Sequence, residues 1–126
     1  MIALVATVRG TFAVDLESGD LAPAEEFEPE ASPELNLPRV LAAAAVGATV
    51  AVVVDAKPPL LVSHDAGTTW RGSGRGLPPG RAVAVSADDP DTIVYAARNR
   101  VYVSHNGGVF WSAVPAELPE ITALSI

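Results

Sequence analysis

The chain of 126 residues contains no cysteine, which removes both a disulfide framework and a thiolate metal site and suits a reducing, cytoplasmic setting. Basic residues are few. Eight Lys and Arg against fifteen Asp and Glu leave a net charge of −7, the wrong sign for a protein that holds nucleic acid by neutralising phosphates. The uncharged run Val40–Val54 is 15 residues long and is interrupted by Gly47, too short for a bilayer span, so it is expected to form two buried strands and no membrane contact. The opening MIALVATVRG has no basic stretch ahead of its apolar residues, so no secretory signal is expected. No Gly-rich phosphate loop, HExxH pair or nucleophile elbow occurs, and neither a cofactor nor a metal is expected.

What is present points to one folded domain. Hydrophobic residues make up 49% and charged residues 18%, a balance that can bury a core. The chain also repeats itself. SHDAGTTW (Ser63–Trp70) returns as SHNGGVFW (Ser104–Trp111) at an offset of 41, a period that signals stacked supersecondary units. A decayed third copy lies in TFAVDLESGD, where Gly19 aligns with Gly67 and Val14 with Val62 at an offset of 48. Asp15, Glu17 and Ala22 there replace the Ser, Asp and Trp. The extra residues fall in APAEEFEPEASPELNLP (Ala22–Pro38), which is rich in Glu and Pro and reads as a long solvated loop.

Around each copy the chain reads as short strands. IALVATV, TVAVVVDA and TIVYAAR are apolar runs, the latter two rich in β-branched residues, and TFAVD, PLLVS and RVYVS run into the turns. RVLAAAAV and RAVAVSA precede two of these pairs. Each full repeat thus has strands a, b and c, the signature turn, and a strand d that begins at the tryptophan. This predicts an all-β fold, a β-propeller of four-stranded antiparallel blades with three blades' worth of strands per chain. The expected division is a single domain over 1–126: blade 1 strands b to d over about 1–38, blade 2 over about 39–80, blade 3 over about 81–120, and a closing strand a at 121–126.

The repeated turn carries a family resemblance. Ser63, Asp65, Gly67, Thr69 and Trp70 match SxDxGxTW, so the chain resembles the Asp-box proteins, whose bacterial neuraminidase repeat occurs in sialidases and other propellers. The resemblance implies that the turn joins a blade's third and fourth strands. The second copy keeps Ser104, Gly108 and Trp111 but has Asn106 for Asp and Phe110 for Thr. In a tight turn a Ser hydroxyl and a carboxylate satisfy otherwise unpaired backbone N–H groups, glycine supplies positive φ, and the indole fills the wedge between blades. The Asp-to-Asn change keeps an acceptor and loses a charge, which fits a structural role; no catalytic residue is expected here. His64 and His105 share the variable position of the two turns and are expected to be exposed, with no metal between them.

Two features bear on function. Arg9, Lys57 and Arg98 fall on one repeat position, at the start of each b-to-c loop, with Arg100 close by; Arg39, Arg75 and Arg81 fall in or beside d-to-a segments. These loops share the face opposite the signature turns. There the cations either form a ring able to hold a carboxylate, a phosphate or an acidic peptide, or simply mark strand ends and discourage edge pairing. The acidic loop of the first blade, on the same face, favours the second reading. Secondly, the chain begins on a strand b and ends with ITALSI, a strand a with nothing after it. Three blades would each have to span a third of a circle, more than propeller blades cover. The expectation is a homodimer in which Met1–Val8 of one chain pairs with Ile121–Ile126 of the other to make a six-bladed ring. The function expected is a non-catalytic binding or scaffold module for a protein, glycan or small anion. The alternative is a minimal or relic glycoside hydrolase with its site in the central channel. For that, the sialidase resemblance implies an arginine cluster, a tyrosine nucleophile and acidic partners. Tyr95 and Tyr102 lie in strands b and c, without a motif that assigns them such roles.

Overall fold

The computed structural model describes residues 1–29, 32–35 and 37–126, and its described residues form strands and turns with no helix. In chain order the strands are β1 (Ile2–Thr7), β2 (Gly10–Asp15), β3 (Leu21–Ala24), β4 (Val40–Val46), β5 (Thr49–Val54) and β6 (Leu60–Ser63). They continue as β7 (Arg71–Ser73), β8 (Ala82–Val85), β9 (Ile93–Ala96), β10 (Val101–Ser104), β11 (Ser112–Ala113) and β12 (Ile121–Ser125). They make three four-stranded antiparallel sheets, ordered β12-β1-β2-β3, β4-β5-β6-β7 and β8-β9-β10-β11, here blades 1, 2 and 3. The outer strands β7 and β11 start one residue after Trp70 and Trp111, because each indole still belongs to the turn.

Blade order in space differs from order in the chain. The inner strand β8 packs against both β4 and β12, so blade 3 sits between blades 2 and 1. Burial follows from that position. Successive strand residues face opposite sides, and in β9 Ile93 and Tyr95 join the core shared with blade 2 while Val94 and Ala96 join the core shared with blade 1. In β5, Ala51 and Val53 face blade 3, and Val50, Val52 and Val54 face the other way. β1 alternates instead: Ala3 and Val5 are fully buried against blade 3, whereas Ile2 on the opposite face is 53% exposed.

Two expectations require correction. The terminal strands pair within one chain: β12 lies antiparallel to β1, with Leu4 opposite Ser125, Val5 opposite Leu124 and Ala6 opposite Ala123. The seven residues from Val114 to Glu120 carry the chain from β11 to that edge, and Ile121 is fully buried there. An edge on the same chain, reached by a short link, is available at far higher effective concentration than one on a second molecule, so strand exchange is not required. The stretch Ala22–Pro38 is also more than a solvated loop. Its first residues belong to β3, and Leu35 and Leu37 pack against Ala43, Val50, Val52 and Val54 on the outer flank of blade 2. The remainder of that expectation falls partly on residues 30, 31 and 36, outside the described residues.

Candidate functional site

The signature turns are held by their own side chains. Ser63 Oγ accepts from Gly67 N at 2.8 Å and donates to Asp65 Oδ1 at 2.7 Å; Asp65 Oδ1 also accepts from Thr69 N at 2.8 Å, and Oδ2 accepts from the Thr69 hydroxyl. The Thr69 side-chain and backbone bonds, aided by Ser63, pull the Asp65 carboxyl down to about 2. Both carboxylate oxygens are therefore occupied within the turn, and the group is an ionised acceptor rather than a proton donor or nucleophile. In the second turn Ser104 Oγ accepts from Gly108 N at 2.9 Å, and Asn106 Oδ1 takes up the Ser104 hydroxyl and Phe110 N. Phe110 has no hydroxyl to donate, and its ring is 75% exposed. The decayed first turn uses Asp15 Oδ1 to accept from Glu17 N and Ser18 N, and these bonds, Ser18's first, lower its pKa.

Gly67 and Gly108 adopt φ of 88° and 90°, as such a turn requires. Gly108 has a second reason. A Cβ there would lie 2.8 Å from Ser73 Oγ, which donates to the Gly108 carbonyl and accepts from Trp111 Nε1 at 2.9 Å. Ser73 thus ties the outer strand of blade 2 to the turn of blade 3. Trp111 continues this contact into the core, edge-on to Tyr95 with ring centroids 6.0 Å apart. Burial, with a smaller contribution from Tyr102, raises the Tyr95 phenol to about 12, and its hydroxyl donates to the Pro78 carbonyl. Trp70 packs with Leu35 and Leu37 on the outer flank of blade 2. His64 rests against Gly107, and His105 Nδ1 lies 3.2 Å from Thr92 Oγ1. Among the described residues no group of three or more His, Asp or Glu gathers in metal-binding geometry.

The cations occupy the opposite side. Arg9 sits in the β1–β2 turn, Lys57 between β5 and β6, and Arg98 and Arg100 between β9 and β10; all four are exposed. Arg39 and Arg81 immediately precede the inner strands β4 and β8, and Arg75 lies in the β7–β8 link. Seven of the eight Lys and Arg are thus on one face, Arg71 being the exception, whereas the turns of the other face carry Glu17, Asp20, Asp65, Asp88, Asp89 and Asp91 and no Lys or Arg.

The structure brings only some of these cations together. Glu120 Oε1 bridges Arg81 at 3.2 Å and Arg98 at 3.3 Å. Among the described residues Arg9, Lys57 and Arg100 make no ion pair. None of Arg9, Lys57, Arg98 and Arg100 lines the central cavity, a space of about 450 Å3 walled by β4, β8 and β12 with Arg81 at its rim and Pro29, Ser32 and Pro33 beside it. Glu120 was missed by sequence reasoning, although a signal existed: it precedes its inner strand as Arg39 and Arg81 precede theirs, with the charge reversed. The Ser73 bridge had no such signal, since its repeat equivalent is Val114.

Comparison with known proteins defines the fold. No protein-family model matches the chain, and no curated protein matches it. Among solved structures it is similar to the GH74 enzyme of Niastella koreensis, with 20% identity and a TM-score of 0.55 over 97% of this chain and 19% of that one. It is also similar to YCF48 bound to D1 peptide, with 17% identity and a TM-score of 0.54 over 88% of this chain and 37% of that one. Both are β-propellers, and this chain has the same blade architecture while spanning less than two fifths of the length of either.

Proposed function

We propose that the chain is a non-catalytic, cytoplasmic propeller module of the Asp-box type that assembles with a second copy and binds an anionic ligand or an acidic protein segment on its cationic loop face. The observation that carries this reading is that seven of eight cations gather in the loops of one face, interspersed there with Asp55, Glu117, Glu120 and the Glu-rich β3–β4 link, while the turns of the other face hold no Lys or Arg. Recognition of an anion there rests on close contact with individual guanidinium and ammonium groups rather than on a face-wide field. Arg9, Lys57 and Arg100 are the free members, and Arg98 is shared with Glu120. YCF48 bound to D1 peptide supports the use of this architecture for peptide recognition.

Assembly follows from the flanks of the arc rather than from strand exchange. Met1, Ile2, Val8 and Leu21 of blade 1 and Val40 and Leu41 of blade 2 account for most of the exposed large apolar side chains, and they lie at the two ends of the three-blade arc. Two copies meeting at two identical junctions, the open side chains of blade 1 set against the Leu35, Leu37 and Trp70 layer on blade 2, close a six-bladed ring. A second reading is a minimal glycoside hydrolase acting in the central cavity, which the likeness to a GH74 enzyme keeps in view.

Binding of a fluorescein-labelled oligoglutamate, followed by anisotropy at low and high salt, tests the main reading. Saturable binding that weakens with salt and falls on the order of tenfold when Arg9, Lys57 and Arg98 are replaced by Ala supports it. Binding indifferent to those substitutions refutes it, and turnover of chromogenic glycosides selects the second reading.

A further inference from the structure

A groove of about 450 Å3 runs along the outer rim between blades 2 and 3 and reaches the loop face only at Arg75, away from Arg9, Lys57, Arg98 and Arg100. One wall is β7, all three of whose residues line it, continued by Arg75; the other is the second signature turn, with Val109, Phe110 and Trp111. Ser73 forms the floor, fixed by its bonds to Gly108 and Trp111. β7 ends its sheet and so presents one unpaired backbone edge.

The second turn departs from its own chemistry at this groove. At the position where Thr69 closes the first turn with a hydroxyl bond, the second turn places Phe110, 75% exposed and beside Val109 at 54%. The turn loses a hydrogen bond and gains nothing in packing. Departures from local rules without a structural return mark functional positions. The arginines follow the same pattern. The repeat equivalents of Arg71 and Arg75, 41 residues on, are Ser112 and Ala116, so neither charge belongs to the blade pattern. Arg71 is also the one cation absent from the loop face. At the neighbouring junction, between blades 3 and 1, the corresponding wedge is closed: Gly19 of the first turn sits so tightly on Pro115 that a Cβ would overlap its carbonyl.

We propose that this groove docks an acidic, extended peptide segment of a partner protein bearing one aromatic or aliphatic anchor. The anchor lies against Phe110 and Val109, flanking carboxylates meet Arg71 and Arg75, and the peptide backbone runs along the free edge of β7. Two arginines 4 residues apart on an otherwise acidic protein select for negative charge, the exposed phenyl selects for an apolar anchor, and an unpaired strand edge accepts main-chain bonds from an extended chain.

The test uses replacements the repeat itself supplies, Phe110→Thr, Arg71→Ser and Arg75→Ala, so that the fold is preserved. The probe is a labelled peptide Glu-Glu-Phe-Glu-Glu, with Glu-Glu-Ala-Glu-Glu, Lys-Lys-Phe-Lys-Lys and an oligogalacturonate as comparators. The expected result is saturable, salt-sensitive binding of the first peptide. Phe110→Thr and the Arg71→Ser/Arg75→Ala pair should each weaken it on the order of tenfold. Thermal midpoints should stay unchanged, and the Arg9, Lys57 and Arg98 replacements should leave a groove-bound fraction intact. That last arm separates failure of the groove from failure of the loop face. Equal binding of the alanine or lysine peptide, oligogalacturonate binding without peptide binding, or indifference to all three replacements overturns the proposal.

Discussion

The two ends of the arc are built from the same blade and finished differently. Blade 2 turns a face of Ala43, Val50, Val52 and Val54 outward and covers it with Leu35, Leu37 and Trp70. Blade 1 leaves Ile2 half exposed on its outer face, with Met1, Val8 and Leu21 also open. The contrast shows that a blade's flank is apolar by construction, because strands packed between neighbours must be apolar on both faces. Whatever lies beside the last blade must cover that flank. Blade 2 uses the chain's own link; on blade 1 that part is assigned to the second copy proposed above.

The largest expected effect comes from breaking the end that closes blade 1. Ile121 is fully buried, and Ile121→Asp places a carboxylate among Ala3, Val5 and Leu124 with no partner, so the variant is expected to lose cooperative unfolding altogether. Circular dichroism during a thermal ramp checks this. Removing the cover from blade 2 costs less. Leu35→Ala with Leu37→Ala should lower stability by about 2 kcal/mol in urea, since both leucines are half-buried and each loses roughly a kcal/mol of transfer energy. The same pair should weaken assembly, because it removes the layer on blade 2 against which the open flank of the second copy's blade 1 is proposed to pack.

The smallest effect concerns the turns. Asp65 has its pKa depressed from 3.8 to about 2 by the Thr69 and Ser63 bonds, so its contribution to stability is complete above about pH 4 and is lost as pH falls towards 2. Asp65→Asn, which copies Asn106, should flatten the dependence of the denaturation midpoint on pH across that window. Some slope should remain, because Asp15 in blade 1 is also lowered. An unchanged slope would mean that the turn bonds do not distinguish the ionised carboxyl.

How much of this was legible in the sequence depends on range. The turns at Ser63–Trp70 and Ser104–Trp111 were readable because donors and acceptors lie within four residues of each other. The four-strand blade was readable from apolar runs at a fixed period. The partner of β12 was not: ITALSI announces an inner strand that needs an edge, and its pattern is the same whether that edge belongs to this chain or another. Nor were Leu35 and Leu37: they lie in a Glu- and Pro-rich stretch that reads as solvated, and their destination depends on the flank of blade 2, which is fixed only by the packing of the blades. Arg9, Lys57 and Arg98 were identifiable as equivalent positions, while their spacing in three dimensions and the capture of Arg98 by Glu120 were not.

The central claim is that this three-blade arc is completed by another of its kind through the uncovered flank of blade 1. Native mass measurement at micromolar concentration tests it most directly. The account predicts twice the 13.0 kDa chain mass for the wild type and a single chain mass, with an unchanged circular dichroism spectrum, for Ile2→Lys. A wild-type mass of 13.0 kDa that does not rise with concentration would contradict it.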